Sequence, residues 1–385
     1  MTIYNWVELI ILILFIVELI ARNPVKYRQI IFYIGTFLLL FVLGFRNYDV
    51  GGDTPGYCDF FTGKSAGFYG SLFDKKSSIE PGFIYISKFL HLICSDWRWF
   101  IFSSSLISLL PFLCYVRNKA IFPSFAFLSF LLPFNLLFLI QTPIRQCFAI
   151  SVFILGGYIW EKAKQNTDKK SQRKLRILGL ILMFLGIMTH TSMYIIAPLA
   201  ICCYFVKFNK KAALFGIILT FFLSLFVSSL FTYLYDYLFQ LTSALNAFQN
   251  INQYHDSINY EIADDISIGA IAPRSLFTIL VILLSGEKQN ITYNYKCLVF
   301  ACCLMNISVS FPLASRIVLF FSLLGSSYVP SKLDKRNRLK DKVYCKFYIS
   351  LLFLLFILIF YKHYELCYNF KKTISTDILP YSFWF

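Results

Sequence analysis

The sequence predicts an all-α integral membrane protein with about twelve transmembrane helices and two long extracytoplasmic loops. Its 385 residues are 58% hydrophobic, with a mean hydropathy of +0.65 that a soluble domain of this length would not tolerate. The apolar residues form repeated runs of about 17–22, the length that crosses a bilayer as a helix. The Lys and Arg residues are concentrated in alternate loops between these runs, which is the pattern of a multispan protein.

The expected spans follow these apolar runs, with boundaries that are loose by a few residues. They are residues 3–21, 29–45, 97–116, 121–140, 144–160, 175–189, 191–206, 212–233, 274–286, 296–312, 314–329 and 347–362. Residues 3–21 have no basic region before them and no small-residue cleavage site after them, so we expect a first span instead of a signal peptide. Residues 81–94 are apolar but short, and a crossing there would invert the loops that follow. We therefore expect an interfacial or re-entrant helix on the outer face.

Charge sets the expected orientation of these spans. About two thirds of the 36 Lys and Arg residues lie in the loops of one side. The positive-inside rule makes that side cytoplasmic, so the net charge of +16 needs no nucleic acid to explain it. The two long outer loops are then 46–96 and 234–273, and residues 1–385 form one polytopic membrane domain.

Three arginines on the predicted outer side lie at the starts of membrane helices. Arg145 and Gln146 follow Pro143, Arg274 directly follows Pro273, and Arg316 comes shortly after Pro312. A helix N-terminus presents unpaired N–H groups and a partial positive charge, and an added arginine makes it a typical phosphate site. These residues predict an anion site on the outer face; the alternative is that each arginine extends to the polar interface.

Carboxylates and a histidine on the same side are candidates for proton transfer. Arg46, Asp53 and Tyr57 surround the flexible Gly51–Gly52 turn, and Glu80 begins the short apolar helix. A carboxylate beside a sugar hydroxyl can act as a general base, whereas the alternative is an ordinary Asp/Gly turn with an ion pair. His190 lies at the outer junction of two spans, where it either packs by hydrogen bonds or handles a proton.

Neither a metal nor an organic cofactor is expected. No CxxC pair, His/Cys metal spacing, Walker motif, GxGxxG, GxSxG or HExxH string occurs in the sequence. Asp264–Asp265 alone is a poor metal signal. Cys58, Cys94 and Cys367 fall on the predicted outer side, where a disulfide among them stays open.

Several of these strings, taken in order, resemble the EpsG-like family, the Wzy-type polymerases of bacterial O-antigen and capsule. The matching strings are Arg46–Tyr57, Glu80–Phe83, Ile144–Gln146, Thr189–Ser192, Arg316 and Leu379–Tyr381. The resemblance implies a fold related to the integral-membrane GT-C glycosyltransferases and a location in the bacterial inner membrane with an extracytoplasmic active face. It implies no particular sugar.

The implied reaction transfers a glycan from undecaprenyl diphosphate onto a lipid-linked repeat unit. The implied partners are the lipid-linked oligosaccharide donor and acceptor and the membrane lipids. A chain-length regulator is a further implied partner. Under this interpretation Arg145 and Arg316 bind the diphosphate, supported by Arg46 and Arg274. Asp53, Glu80 and His190 compete for the role of base, and Tyr57 and Gln146 contact the substrate. Arginine would bind the diphosphate in place of a metal ion. A direct displacement would invert the anomeric centre.

Other classes remain as alternatives. A lipid-linked oligosaccharide flippase also handles a diphosphate but needs cations deep within its spans, whereas these arginines are predicted at outer helix ends. An O-antigen ligase would have its largest outer loop late in the chain. A membrane acyltransferase would place its histidine with an acid on a cytoplasmic or buried face.

Overall fold

The computed structural model describes residues 2–21, 24–64, 70–74, 79–225, 268–287, 292–308, 312–333 and 342–373. Within these ranges the protein is helical and contains no strand. The described residues form two compact units. The first contains residues 1–201, 326–329 and 356–385, and the second contains 202–325 and 330–355.

The described residues up to Phe205 form ten helices. They are α1 (Ile3–Ile20), α2 (Pro24–Gly44), α3 (Thr54–Thr62), α4 (Pro81–Ile93), α5 (Trp97–Lys119), α6 (Pro123–Leu131), α7 (Leu136–Gln141), α8 (Ile144–Lys164), α9 (Lys169–Thr189) and α10 (Met193–Phe205). The later ones are α11 (210–225), α12 (Ile268–Leu283), α13 (Tyr293–Ile307), α14 (Pro312–Ser326) and α15 (Lys342–Thr373), with a 3₁₀ turn at Ser331–Leu333.

Four described helices are long and apolar enough to cross a membrane: Ile3–Ile20, Lys26–Gly44, Trp97–Lys119 and Val343–Glu365. Three shorter apolar helices are Met193–Phe205, Ile271–Leu283 and Ile317–Leu333. The membrane class is thus supported, while the expected count of about twelve spans is not confirmed. One reason is that α9 begins with a strongly basic segment, which interrupts the apolar length.

One predicted span is broken in the structure. Residues 121–140 were expected as one helix, but they form α6 and α7, separated by residues 132–135 with Asn135 in a left-handed conformation (φ 48°). Pro133 fits the break because it has no N–H to donate to a continuing helix. Residues 212–233 are described only to 225, and most of the predicted loop 234–273 lies outside the described residues.

Helices α8 and α9 form a tightly packed antiparallel pair. The side chain of Asp168 accepts hydrogen bonds from the N–H groups of Lys170 and Ser171, which begins α9. A Cβ atom added to Gly156 would lie 2.6 Å from the Gly179 carbonyl oxygen, so the two backbones approach as only glycine allows. Because the two helices are antiparallel, the start of α8 lies beside the end of α9.

The predicted loop 46–96 folds into α3 and α4 around an aromatic core. Phe60, Phe61 and Phe83 are fully buried and pack with Phe100 of α5 and Phe148 of α8. Burying such rings contributes on the order of 2 kcal/mol each. The loop is therefore a fixed cap over one end of the first unit.

Helix α4 lies across that end, from the end of α9 to the start of α5. Gly82 packs against the backbone of Met188, while Trp99 Nε1 donates to the Leu90 carbonyl at 3.1 Å. Its 13 residues are too short to cross a bilayer, and the side chains of Tyr85, Phe89, Leu92 and Ile93 are exposed. The length of α4 fits the interfacial helix expected at residues 81–94, whose place in the membrane stays a prediction.

Candidate functional site

The first unit has two chemically different ends. At one, which we call the basic end, Arg28 of α2 donates to the Arg117 carbonyl of α5, and Lys119 of α5 pairs with Glu161 of α8. The opposite end carries Arg145 at the start of α8, and we call it the Arg145 end. The expected separation of the basic loops from the site arginines is therefore present within this unit.

Arg145 is the centre of a polar cluster at the Arg145 end. It is the second residue of α8, directly after the Ile144 that follows the N-cap Pro143. Its Nε donates to the Tyr57 hydroxyl at 2.9 Å, and its Nη1 donates to Glu80 Oε2 at 2.7 Å. The guanidinium also lies 5.6 Å from the centre of the Tyr57 ring. Two hydrogen bonds and a ring contact fix the guanidinium plane before any ligand binds.

Glu80 joins three elements of this cluster. It is the N-cap residue of α4, but its side chain makes no capping bond to that helix. Its Oε2 instead pairs with Arg145 of α8, and its Oε1 accepts from the Thr191 N–H, just beyond α9, at 3.2 Å. The side chains of Arg145 and Glu80 are 15% and 17% exposed, so the ion pair is shielded yet open to a ligand.

Arg46 lies beneath the surface of the same end. Its guanidinium is 1% exposed and donates to the Leu43 carbonyl at 2.8 Å, to Ser105 Oγ at 3.4 Å and to the Gln141 carbonyl at 3.5 Å. These contacts tie the end of α2 to α5 and α7. Arg46 thus braces the end of the unit, in contrast with the partly exposed Arg145.

Asp53 and Tyr57 enter the site from α3. Asp53 is the half-buried N-cap residue of α3, one helical turn before Tyr57, and its side chain makes no capping bond to that helix. Gly51 precedes them with φ +101°, and an added Cβ atom would lie 2.8 Å from the Gln141 carbonyl oxygen. Only glycine fits this turn, which sets where α3 begins.

His190 adjoins the cluster at the end of α9. Its Nδ1 accepts from the Ser192 N–H at 3.1 Å and lies 2.9 Å from Ser192 Oγ. A ring nitrogen that accepts a backbone N–H carries no proton, so the neutral ring holds its proton on Nε2. His190 in this state presents a hydrogen-bond donor to a ligand.

The remaining predicted residues lie apart or deeper. Gln146 is fully buried in the first turn of α8. Arg274 belongs to the second unit and lies in the second turn of α12; Pro273 was expected to begin this helix but lies inside it. Arg316 lies in the second turn of α14, which begins at Pro312 as expected, and its side chain is outside the described residues.

Sequence reasoning missed Gln141 and the Thr191 N–H. Gln141 is fully buried, and its side chain accepts from the Tyr4 hydroxyl at 3.2 Å while its carbonyl accepts from Arg46 and Thr54. A glutamine directly before Thr142–Pro143 was the available signal. Every residue except proline has a backbone N–H, so the identity of residue 191 does not indicate that its N–H contacts Glu80.

The cysteines of this end are reduced. Cys58 and Cys94 are free, so no disulfide joins them, and the side chain of Cys367 is outside the described residues. Burial raises the pKa of the Cys58 thiol to about 12, which keeps it protonated and unreactive. Among the described residues, no three His, Cys, Asp or Glu side chains are grouped so as to hold a metal ion.

One comparison with known proteins is informative. The model of the EpsG family matches residues 29–383, which is nearly the whole chain and includes both units. No curated protein and no solved structure gives a significant match, so the expected likeness to GT-C glycosyltransferases is not confirmed.

Proposed function

The chain belongs to the EpsG family, and from this premise we propose that it polymerises a surface polysaccharide by transferring a glycan from undecaprenyl diphosphate onto a lipid-linked repeat unit. The observation that carries the proposal is the fixed Arg145 guanidinium at a helix start, partly exposed at the end opposite the basic loops. An arginine held there fits a diphosphate, whose charge grows as the glycosyl bond breaks. The reaction takes place on the extracytoplasmic side of the inner membrane.

The reaction forms one bond and breaks one bond. The acceptor hydroxyl oxygen attacks the anomeric carbon, while the bond from that carbon to the diphosphate oxygen breaks and undecaprenyl diphosphate leaves with the electron pair. A base accepts the hydroxyl proton. Attack opposite the leaving group inverts the anomeric centre, and Arg145 stabilises the departing charge without any metal.

Asp53 is the base in this proposal. Glu80 is already engaged by Arg145 and the Thr191 N–H, so it positions the arginine. His190 Nδ1 accepts a backbone N–H, so its Nε2 donates to the diphosphate or to a sugar hydroxyl. Asp53 is half-buried one helical turn before Tyr57, and its side chain makes no capping bond to α3. Arg46, Gln146 and Gln141 support the site from below, while the expected roles of Arg274 and Arg316 of the second unit stay predictions.

The proposal is tested in a deletion strain complemented with Arg145 variants. Arg145→Ala and Arg145→Lys should both lower polymerisation by about a hundredfold, because lysine keeps the charge but not the planar donor pair. Surface glycan separated on a gel should then show single repeats without a length ladder.

Arg98→Ala is the matched control. Arg98 also lies at a helix start near this end, but its side chain is 46% exposed and pairs with the neighbouring Asp96 at 3.5 Å. Its loss should leave the ladder intact. A normal ladder from both Arg145 variants contradicts the proposed role. A deletion that abolishes surface repeats altogether would instead identify a flippase.

A further inference from the structure

The basic end of the first unit contains a cleft that the proposed reaction does not use. Its volume is about 250 Å³, and it lies where the start of α2 meets the end of α5 and the start of α6. Arg28, Gln29, Arg117 and Asn118 supply its polar lining. The size is close to the lower end of small-ligand sites, about 300 Å³.

The polar side of this cleft is cationic. Arg28 Nη2 donates to the Arg117 carbonyl at 2.8 Å, which holds the Arg28 guanidinium beside the last turn of α5. The Arg117 guanidinium itself has no hydrogen-bond or ion-pair partner within the described ranges. No acidic residue lines the cleft. Two described acids lie close to its walls: Glu18 is fully buried, accepts from the Ser124 N–H and interacts electrostatically with Arg28, while Glu161 pairs with Lys119. Arg117 thus keeps its charge for a ligand.

The other side of the cleft is apolar and continues onto the outer surface of α2. Phe32, Tyr33 and Pro123 form this wall. Tyr33 is 58% exposed and lies in one helical stripe with Ile30 (57% exposed) and Phe37 (64% exposed). An exposed apolar stripe on a helix that is long enough to cross the membrane faces acyl chains.

We propose that this cleft binds the phosphate of an anionic phospholipid headgroup, with the acyl chains lying along α2. Two guanidinium groups supply charge-assisted donors to the phosphate oxygens. The neighbouring rings and proline contact the glycerol and the first methylene groups. A free phosphate ion would use the same arginines but gain nothing from the apolar stripe, so the structure favours the lipid.

The test uses the purified full-length protein in detergent and native mass spectrometry with added phosphatidylglycerol. Phosphatidylcholine and inorganic phosphate serve as comparison probes. Arg28→Ala/Arg117→Ala should weaken phosphatidylglycerol binding at least about tenfold. The control Lys170→Ala/Lys174→Ala removes the same charge from exposed positions of α9 and should change binding less than about twofold.

The outcomes separate the sources of the anion. Preference for phosphatidylglycerol over phosphatidylcholine, no displacement by inorganic phosphate and selective loss in the cleft variant support the proposal. Equal weakening in both double variants shows attraction to bulk charge and overturns it, as does equal binding of phosphatidylcholine or displacement by phosphate. If the double variant misfolds, Arg117→Ala alone still tests the proposal, because the Arg117 guanidinium makes no hydrogen bond or ion pair within the described residues.

Discussion

At the residue scale, Arg145 and Arg46 show how the same side chain takes two roles. Both lie at the Arg145 end, but Arg46 is buried against backbone carbonyls, whereas Arg145 is held by side chains and partly exposed. The sequence predicted that Arg145 and Glu80 begin helices because proline neighbours both. It did not predict their contact, because the two residues are 65 positions apart and the chain must fold to bring α4 across the end of α9.

The assignment of the base gives a prediction at this scale. Asp53→Asn keeps the shape of the side chain but removes its basicity, so the polymerisation rate should fall by about a hundredfold or more. Glu80→Gln keeps one oxygen to accept from Arg145 and loses only the acceptor for the Thr191 N–H, so its rate should fall by less than about tenfold. Membranes from each strain, supplied with lipid-linked repeats, give the two rates. An inactive Glu80→Gln beside an active Asp53→Asn would move the base to Glu80.

At the element scale, proline and charge predicted some helix boundaries and misplaced others. Pro143 and Pro81 mark true starts, since a proline loses nothing where the N–H has no helical partner. Pro273 lies inside α12, because neighbouring groups in a membrane helix satisfy the backbone that proline disrupts. Apolar periodicity alone does not distinguish a proline at a helix start from a proline inside a helix. It also did not predict the break between α6 and α7.

The α8–α9 pair gives a prediction for neighbouring glycines. Gly156→Ala places a methyl group 2.6 Å from the Gly179 carbonyl oxygen and should destabilise the protein by about 1–3 kcal/mol. Gly157→Ala is the matched control, since nothing lies within 4 Å of its added Cβ and alanine favours helix by up to about 1 kcal/mol. When thermal unfolding is measured in detergent, the midpoint temperature should be lower for Gly156→Ala only. Equal midpoints would contradict the close packing.

At the scale of the whole molecule, the separation of charge gives the first unit its direction. The basic end carries Arg28, Arg117 and Lys119, and the Arg145 end carries the candidate site. The positive-inside rule predicts that the basic end is cytoplasmic, and we propose that the Arg145 end therefore faces outward and meets lipid-linked glycans there. The sequence predicted this division from charge counts, while the cap formed by α3 and α4 required the packing of the aromatic core.

The orientation is tested most directly by labelling thiols in intact cells with a membrane-impermeant maleimide. Cys94 is exposed at the Arg145 end, and Thr167→Cys introduces a thiol between α8 and α9 at the basic end. Peptide mapping should find Cys94 labelled in intact cells and the new thiol labelled only after the cells are permeabilised. Labelling of position 167 from outside, with Cys94 protected until permeabilisation, would place the Arg145 cluster in the cytoplasm and contradict the proposed polymerase.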